Sequence, residues 1–146
     1  MYGVEMIAAL DRASGEAGVT TAVHLKVDTG MGRLGVRGDA LGVLLDQLAG
    51  LKNIKIDGVM SHLASADEPK LDRFTARQEE RFAAAVEQVR AHGWNPSMIH
   101  LANSAGALAH PAARGNLVRP GGILYGMWRD VLPPTETPWD LRPVMA

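Results

Sequence analysis

Residues 24–35 read His-Leu-Lys-Val-Asp-Thr-Gly-Met-Gly-Arg-Leu-Gly. The first half, taken with Val23, alternates. Val23, Leu25 and Val27 fall on one face of a strand, and His24, Lys26 and Asp28 fall on the other. Burying a histidine, a lysine and a carboxylate unpaired is costly, so such a strand has a use for them. The second half is a glycine-studded loop that carries Arg33.

Outward from this stretch, helix and strand patterns alternate. Residues 4–13 read as a helix stopped near Gly15, and 22–28 as the strand just described. Asp39 is placed to cap a helix over 40–49, whose Leu41, Leu44, Leu45 and Leu48 form an apolar stripe. Ile54 to Leu63 reads as a second strand, and a long helix over about 71–92 sets Phe74, Phe82, Val86 and Val89 on one side. Ser97 to Ala102 reads as a third strand, followed by a short helix opened by Asn103-Ser104 and closed by Pro111. Leu117 to Tyr125 is expected to contain a fourth strand, and the tail from Leu132 to be irregular until Leu141 begins another strand. Repeated strand-then-helix units imply an α/β fold with a parallel sheet.

The polar residues fall in register. Lys26, His62, Asn103 and Arg119 each lie at or near the C-terminal end of one expected strand, the edge where parallel α/β folds bind ligands. The five histidines show no metal-ligand spacing, and His24 and His100 read as packing.

Composition narrows the function classes. The 146 residues carry 15 basic and 16 acidic side chains, which gives no electrostatic reason to expect nucleic acid or an anionic membrane as partner. Cysteine is absent, which excludes disulfides and thiolate metal sites. No apolar run approaches the roughly 20 residues of a membrane span, and the first residues lack signal-peptide features. A single-domain, soluble, cytoplasmic protein is the expectation.

Gly30-Met-Gly-Arg-Leu-Gly35 also fits the G-x-G-x-x-G pattern of dinucleotide-binding domains. That reading ranks second. The helix start is delayed to Arg37-Gly38-Asp39, the strand is too polar, and the other polar strand ends are left without a purpose.

Four segments together resemble alanine racemase: residues 24–35, Gly58-Val-Met-Ser-His-Leu-Ala-Ser-Ala-Asp-Glu68, His100-Leu-Ala-Asn-Ser-Ala-Gly106 and Val118-Arg-Pro-Gly-Gly-Ile-Leu-Tyr-Gly126. The resemblance implies a (β/α)8 barrel of about 250 residues, of which residues 1–131 would be the second half, about four βα units. Residues 132–146 would be a linker and the start of a β domain. It implies pyridoxal 5′-phosphate as cofactor, alanine as substrate and a cytoplasmic homodimer supplying D-alanine to the cell wall.

By the same resemblance, Arg33 would contact the cofactor's phenolic oxygen and lie near the substrate carboxylate. Lys26 would be the lysine that is carbamylated in many members, orienting Arg33. Two cations about 4 Å apart cost roughly 4 kcal/mol at an effective dielectric near 20, so an anionic Lys26 would turn repulsion into attraction. Arg119 would face the pyridine nitrogen, backed by His62. Ser104 and the backbone of Gly121 and Gly122 would hold the phosphate, with Asn103 behind them, and Tyr125 would be structural. The family's Schiff-base lysine and catalytic tyrosine have no counterpart among Lys26, Lys52, Lys55, Lys70, Tyr2 and Tyr125, so the 146 residues alone are expected to be inactive. A non-catalytic pyridoxal-phosphate-binding protein is the alternative.

Overall fold

The computed structural model describes residues 1–127 and 141–144. In chain order the elements are α1 (Val4–Glu16), β1 (Thr21–Asp28), β2 (Val36–Arg37), α2 (Gly38–Leu48), β3 (Ile54–Met60), α3 (Asp72–Ala91), β4 (Met98–His100) and α4 (Ser104–Ala109). The strands form one parallel sheet in the order β2-β1-β3-β4. This is the expected parallel α/β arrangement, that of a partial (β/α)8 barrel, though not every expected strand forms.

Alternation in β1 decides which face is covered. Val23, Leu25 and Val27 are buried, and the intervening His24, Lys26 and Asp28 are half-buried on the other face. The apolar face joins a core with Ile56 and Val59 of β3, the α2 stripe Leu41, Leu44, Leu45 and Leu48, and Phe82, Val86 and Val89 of α3. Helices therefore cover one face, and the polar face of β1 is left for other work.

One irregularity serves that face. The β1–β3 register runs Val23↔Ile56 and then His24↔Gly58, so Asp57 is skipped. A Cβ at residue 58 would sit 2.7 Å from the His24 ring, so a glycine is required there to admit the imidazole. Along the other edge of β1, the Met1 amine donates to the His24 carbonyl (2.7 Å) and the Lys26 N–H to the Met1 carbonyl (2.8 Å).

Several local expectations need correction. Arg37, not Asp39, occupies the N-cap of α2; Asp39 lies in the first turn, where its carboxylate meets Arg37 at 3.4 Å. The two-residue β2 was not foreseen, being too short to show a period. β3 stops at Met60, ahead of Leu63, and β4 covers only Met98–His100. The expected strand within 117–125 does not form: Pro120 lacks an N–H for a ladder, and Gly122–Tyr125 turn as a 3-10 helix with Tyr125 exposed. The approach to it still follows β4, through Asn116 N–H to the Ile99 carbonyl and Arg119 N–H to the Ala102 carbonyl, both 3.1 Å.

Residues 141–144 form no strand either; Val144 N–H donates to the Leu124 carbonyl at 3.0 Å. The proposed domain boundary at 131/132 and the irregular tail lie outside the described residues. Among the described residues no helix is long and apolar enough to cross a membrane.

Candidate functional site

The residues expected to act together are brought to one end of the sheet. Lys26 is on β1, His62 lies just beyond β3, and Asn103 and Ser104 lie just beyond β4. Arg119 arrives without a strand of its own, carried by the backbone bond to Ala102.

Arg119 is held by five contacts from its two terminal nitrogens. Nη2 donates to the carbonyls of Ser61 (2.6 Å) and Leu101 (3.1 Å) and lies 3.4 Å from Nδ1 of His62. Nη1 donates to the His100 carbonyl (3.2 Å) and lies 2.7 Å from Nδ1 of His100. The tighter imidazole partner is thus His100 rather than the expected His62. His100 in turn lies 2.8 Å from Nδ1 of His24 through its Nε2, with the two rings edge to face. Packing was the sequence reading of both histidines, and the structure corrects it. The available clue was parity: the alternation that exposes Lys26 places His24 on the same face.

Positive charge is concentrated here. Burial first, and then the charges of Arg119 and Arg33, hold the Lys26 amine down to about 8, against the pull of Asp28. His62 is lowered by burial and by Arg119, Arg33 and Lys26. His100 is lowered to about 4 by burial, Arg119, His24 and Lys26. Arg33 and Arg119 therefore act on the same amine and the same imidazole, although Arg33 itself is exposed. Lys26 Nζ donates to the Val27 carbonyl at 3.1 Å.

Asp28 is turned inward on the glycine loop. Its carboxylate accepts the N–H groups of Gly30 (2.9 Å) and Gly32 (3.1 Å). Burial works to raise its pKa, but these bonds and Lys26 hold it below the usual range. Gly35, at φ +126°, closes the loop where a Cβ would lie 2.6 Å from the Asp28 nitrogen. The dinucleotide reading fails here: two of the loop's N–H groups are spent on Asp28, and α2 does not start until Gly38.

A second group of donors lies at α4. Asn103 caps this helix, accepting the Gly106 N–H at 2.9 Å while its amide donates to the Leu63 carbonyl at 3.3 Å. Ser104 Oγ accepts the N–H of Gly121 (2.8 Å) and approaches that of Ile123 (3.4 Å). With its lone pairs so used, the Ser104 hydroxyl hydrogen is left to donate. Gly121 thus orients Ser104 rather than presenting its own N–H.

Behind both groups stands a residue the sequence reading missed. Gln78 of α3 is fully buried; its amide nitrogen donates to Thr29 Oγ1 (3.2 Å) and the His62 carbonyl (3.1 Å), and its oxygen accepts Ala64 N–H (2.9 Å). Thr29 Oγ1 also meets Ser61 Oγ at 2.8 Å. Gln78 therefore ties together the two loops that carry Arg33 and His62. Its sequence gave no sign of this, because a glutamine on a helix rich in charge reads as solvated.

Comparison with known proteins identifies the family. The family model described as "Alanine racemase, N-terminal domain" matches residues 2–128. The chain is 48% identical over 130 residues to an alanine racemase of Geobacter sp. (strain M21), covering 86% of this chain and 34% of that protein. It is 49% identical over 127 residues to one of Beutenbergia cavernae, covering 82% and 33%. Among solved structures, alanine racemase of Clostridium difficile 630 in complex with cycloserine superposes with a TM-score of 0.81 at 27% identity, over 98% of this chain and 39% of that one. The Bacillus anthracis enzyme with bound L-Ala-P gives 0.79 at 29% identity, over 98% and 37%. The chain spans about a third of the length of the curated relatives it matches. On its sequence and its fold alike, the chain belongs to the alanine racemase N-terminal domain family.

Proposed function

We propose that these residues form the cofactor-binding half of a pyridoxal-phosphate-dependent alanine racemase, interconverting L- and D-alanine. The observation that carries this reading is the clamped Arg119 at the mouth of the sheet, facing the same groups as Lys26 and Arg33.

The fit to an anionic cofactor rests on charge. Lys26, Arg33 and Arg119 share titratable neighbours and depress them, and Asp28, which also accepts N–H groups of its own loop, offsets that charge only in part. A dianionic phosphate ester would relieve that repulsion. Ser104, with its hydroxyl hydrogen left to donate, and the backbone at Gly122 would hold the phosphate; Gly121 fixes the Ser104 rotamer, and Asn103 fixes the turn.

When bound, pyridoxal phosphate supplies an electron sink for exchange of the substrate's α-hydrogen. Arg119 stays protonated near neutrality, and its Nε–H, which none of the five contacts uses, would donate a hydrogen bond to the ring nitrogen without surrendering a proton. That limits electron withdrawal and favours return of the proton to carbon. Arg33 attracts the substrate carboxylate. Lys26, with its amine lowered to about 8, is partly neutral near pH 7 and so able to take up carbon dioxide as a carbamate, releasing a proton. The resulting anion would hold Arg33 in place.

The proton-transferring lysine and tyrosine of such an enzyme would come from outside these residues. Its assembly would be a homodimer in the cytoplasm, with D-alanine for the cell wall as product. Residues 132–146 would lead into its second domain.

Titration of the chain with pyridoxal 5′-phosphate, followed by 31P NMR, tests the site. A saturable shift is expected, weakened roughly tenfold or more in Arg119→Ala and in Ser104→Ala, the loss of one charge-assisted hydrogen bond. A shift that does not saturate, or that Arg119→Ala leaves unchanged, counts against it.

A further inference from the structure

We infer that His100, backed by His24, is a positioning residue for Arg119, holding its guanidinium through a hydrogen-bond chain that runs in one direction only. The inference rests on Arg119 being the group that meets the cofactor, and goes beyond it in naming what sets its orientation.

Direction follows from the donors. A guanidinium has no acceptor, so Nη1 must donate to Nδ1 of His100 across 2.7 Å. Nδ1 of His100 therefore carries no proton, and the proton of the neutral ring sits on Nε2. That Nε2–H donates across 2.8 Å to Nδ1 of His24, which in turn is bare. One charged donor thus fixes the tautomer of two imidazoles in succession.

The surroundings enforce the arrangement. His100 is 3% exposed, and its neighbours Arg119, His24 and Lys26 all disfavour a second proton on it. Gly58 clears the space for the His24 ring, whose place decides whether Nε2 of His100 has an acceptor. The carbonyls of Ser61, His100 and Leu101 pin the guanidinium from other directions, but carbonyl lone pairs tolerate a range of approach. An imidazole acceptor lies in the ring plane and selects one.

Two variants separate positioning from mere packing. In His100→Asn the amide oxygen falls near the place of Nδ1 and preserves the acceptor for Arg119, while contact with His24 is lost. His100→Leu removes both. Histidine-selective 15N NMR of the chain at neutral pH is expected to show His100 and His24 both protonated at Nε2 with Nδ1 bare. The Arg119 Nη signals are expected to be resolved in wild type and in His100→Asn, and averaged by rotation in His100→Leu. Pyridoxal-phosphate affinity should fall roughly tenfold in His100→Leu and by less than about threefold in His100→Asn.

An Nδ1–H tautomer at His100, or equal Arg119 signals in the two variants, overturns the inference. If the NMR results stand but no variant, wild type included, binds pyridoxal phosphate, the positioning of Arg119 is upheld and the cofactor reading falls.

Discussion

Acid should weaken this fold through His100 before most carboxylates titrate. In the folded chain its pKa is lowered from 6.5 to about 4, so the native state keeps the ring neutral where the unfolded chain protonates it. Stability from this group is complete above about pH 6.5, declines as pH falls, and is fully lost near pH 4. At about 1.36 kcal/mol for each tenfold change in proton affinity, the loss is at most about 3 kcal/mol, a large share of a small domain's total. His62, also lowered, adds to it with the same sign. Urea denaturation at intervals between pH 7 and pH 4 measures the slope. Wild type is expected to lose stability throughout this window, and His100→Asn to lose distinctly less across it, whatever its stability at pH 7. Equal slopes for the two proteins would refute the reasoning, because they would mean that the His100 ring takes up its proton equally well folded and unfolded.

Other substitutions probe the elements that hold the site. Gly58→Ala puts a methyl within 2.7 Å of the His24 ring and should cost about 1–3 kcal/mol, read by thermal unfolding, with loss of the His24–His100 contact in 15N spectra. Gln78→Leu strips partners from Thr29, Ala64 N–H and the His62 carbonyl, and should cost about 2–4 kcal/mol by urea denaturation. Gly35→Ala combines a positive φ with a Cβ 2.6 Å from the Asp28 nitrogen; limited proteolysis should then cut within residues 29–37, where wild type resists. The purified 146-residue chain is expected to give no alanine racemisation above blank in a coupled D-alanine assay, since none of Lys26, Lys52, Lys55 and Lys70 is a counterpart of the Schiff-base lysine that the resemblance implies.

What could be read in the sequence was what has a period. The two-residue alternation of β1 gave its buried and polar faces, and the spacing of Leu41, Leu44, Leu45 and Leu48 gave the inward side of α2. The gathering of polar residues at one end of the sheet was legible too, even for Arg119, whose strand does not form. Pro120 and the glycines after it break the ladder, but the backbone bond to Ala102 delivers the side chain to the same place. Long-range hydrogen bonds were not legible. His24 and His100 are 76 residues apart, and Gln78 reaches back 49 residues to Thr29. No local pattern announces such pairs, and the Asp57 register skip that admits the His24 ring appears only when β1 and β3 are laid side by side.

The most direct test of the account is a chimaera in which residues 2–128 replace the matching region of the Geobacter sp. (strain M21) alanine racemase. The account predicts interconversion of L- and D-alanine that requires pyridoxal phosphate and falls about a hundredfold or more in Arg119→Ala. A folded chimaera without racemisation, or one whose rate Arg119→Ala leaves unchanged, would contradict it.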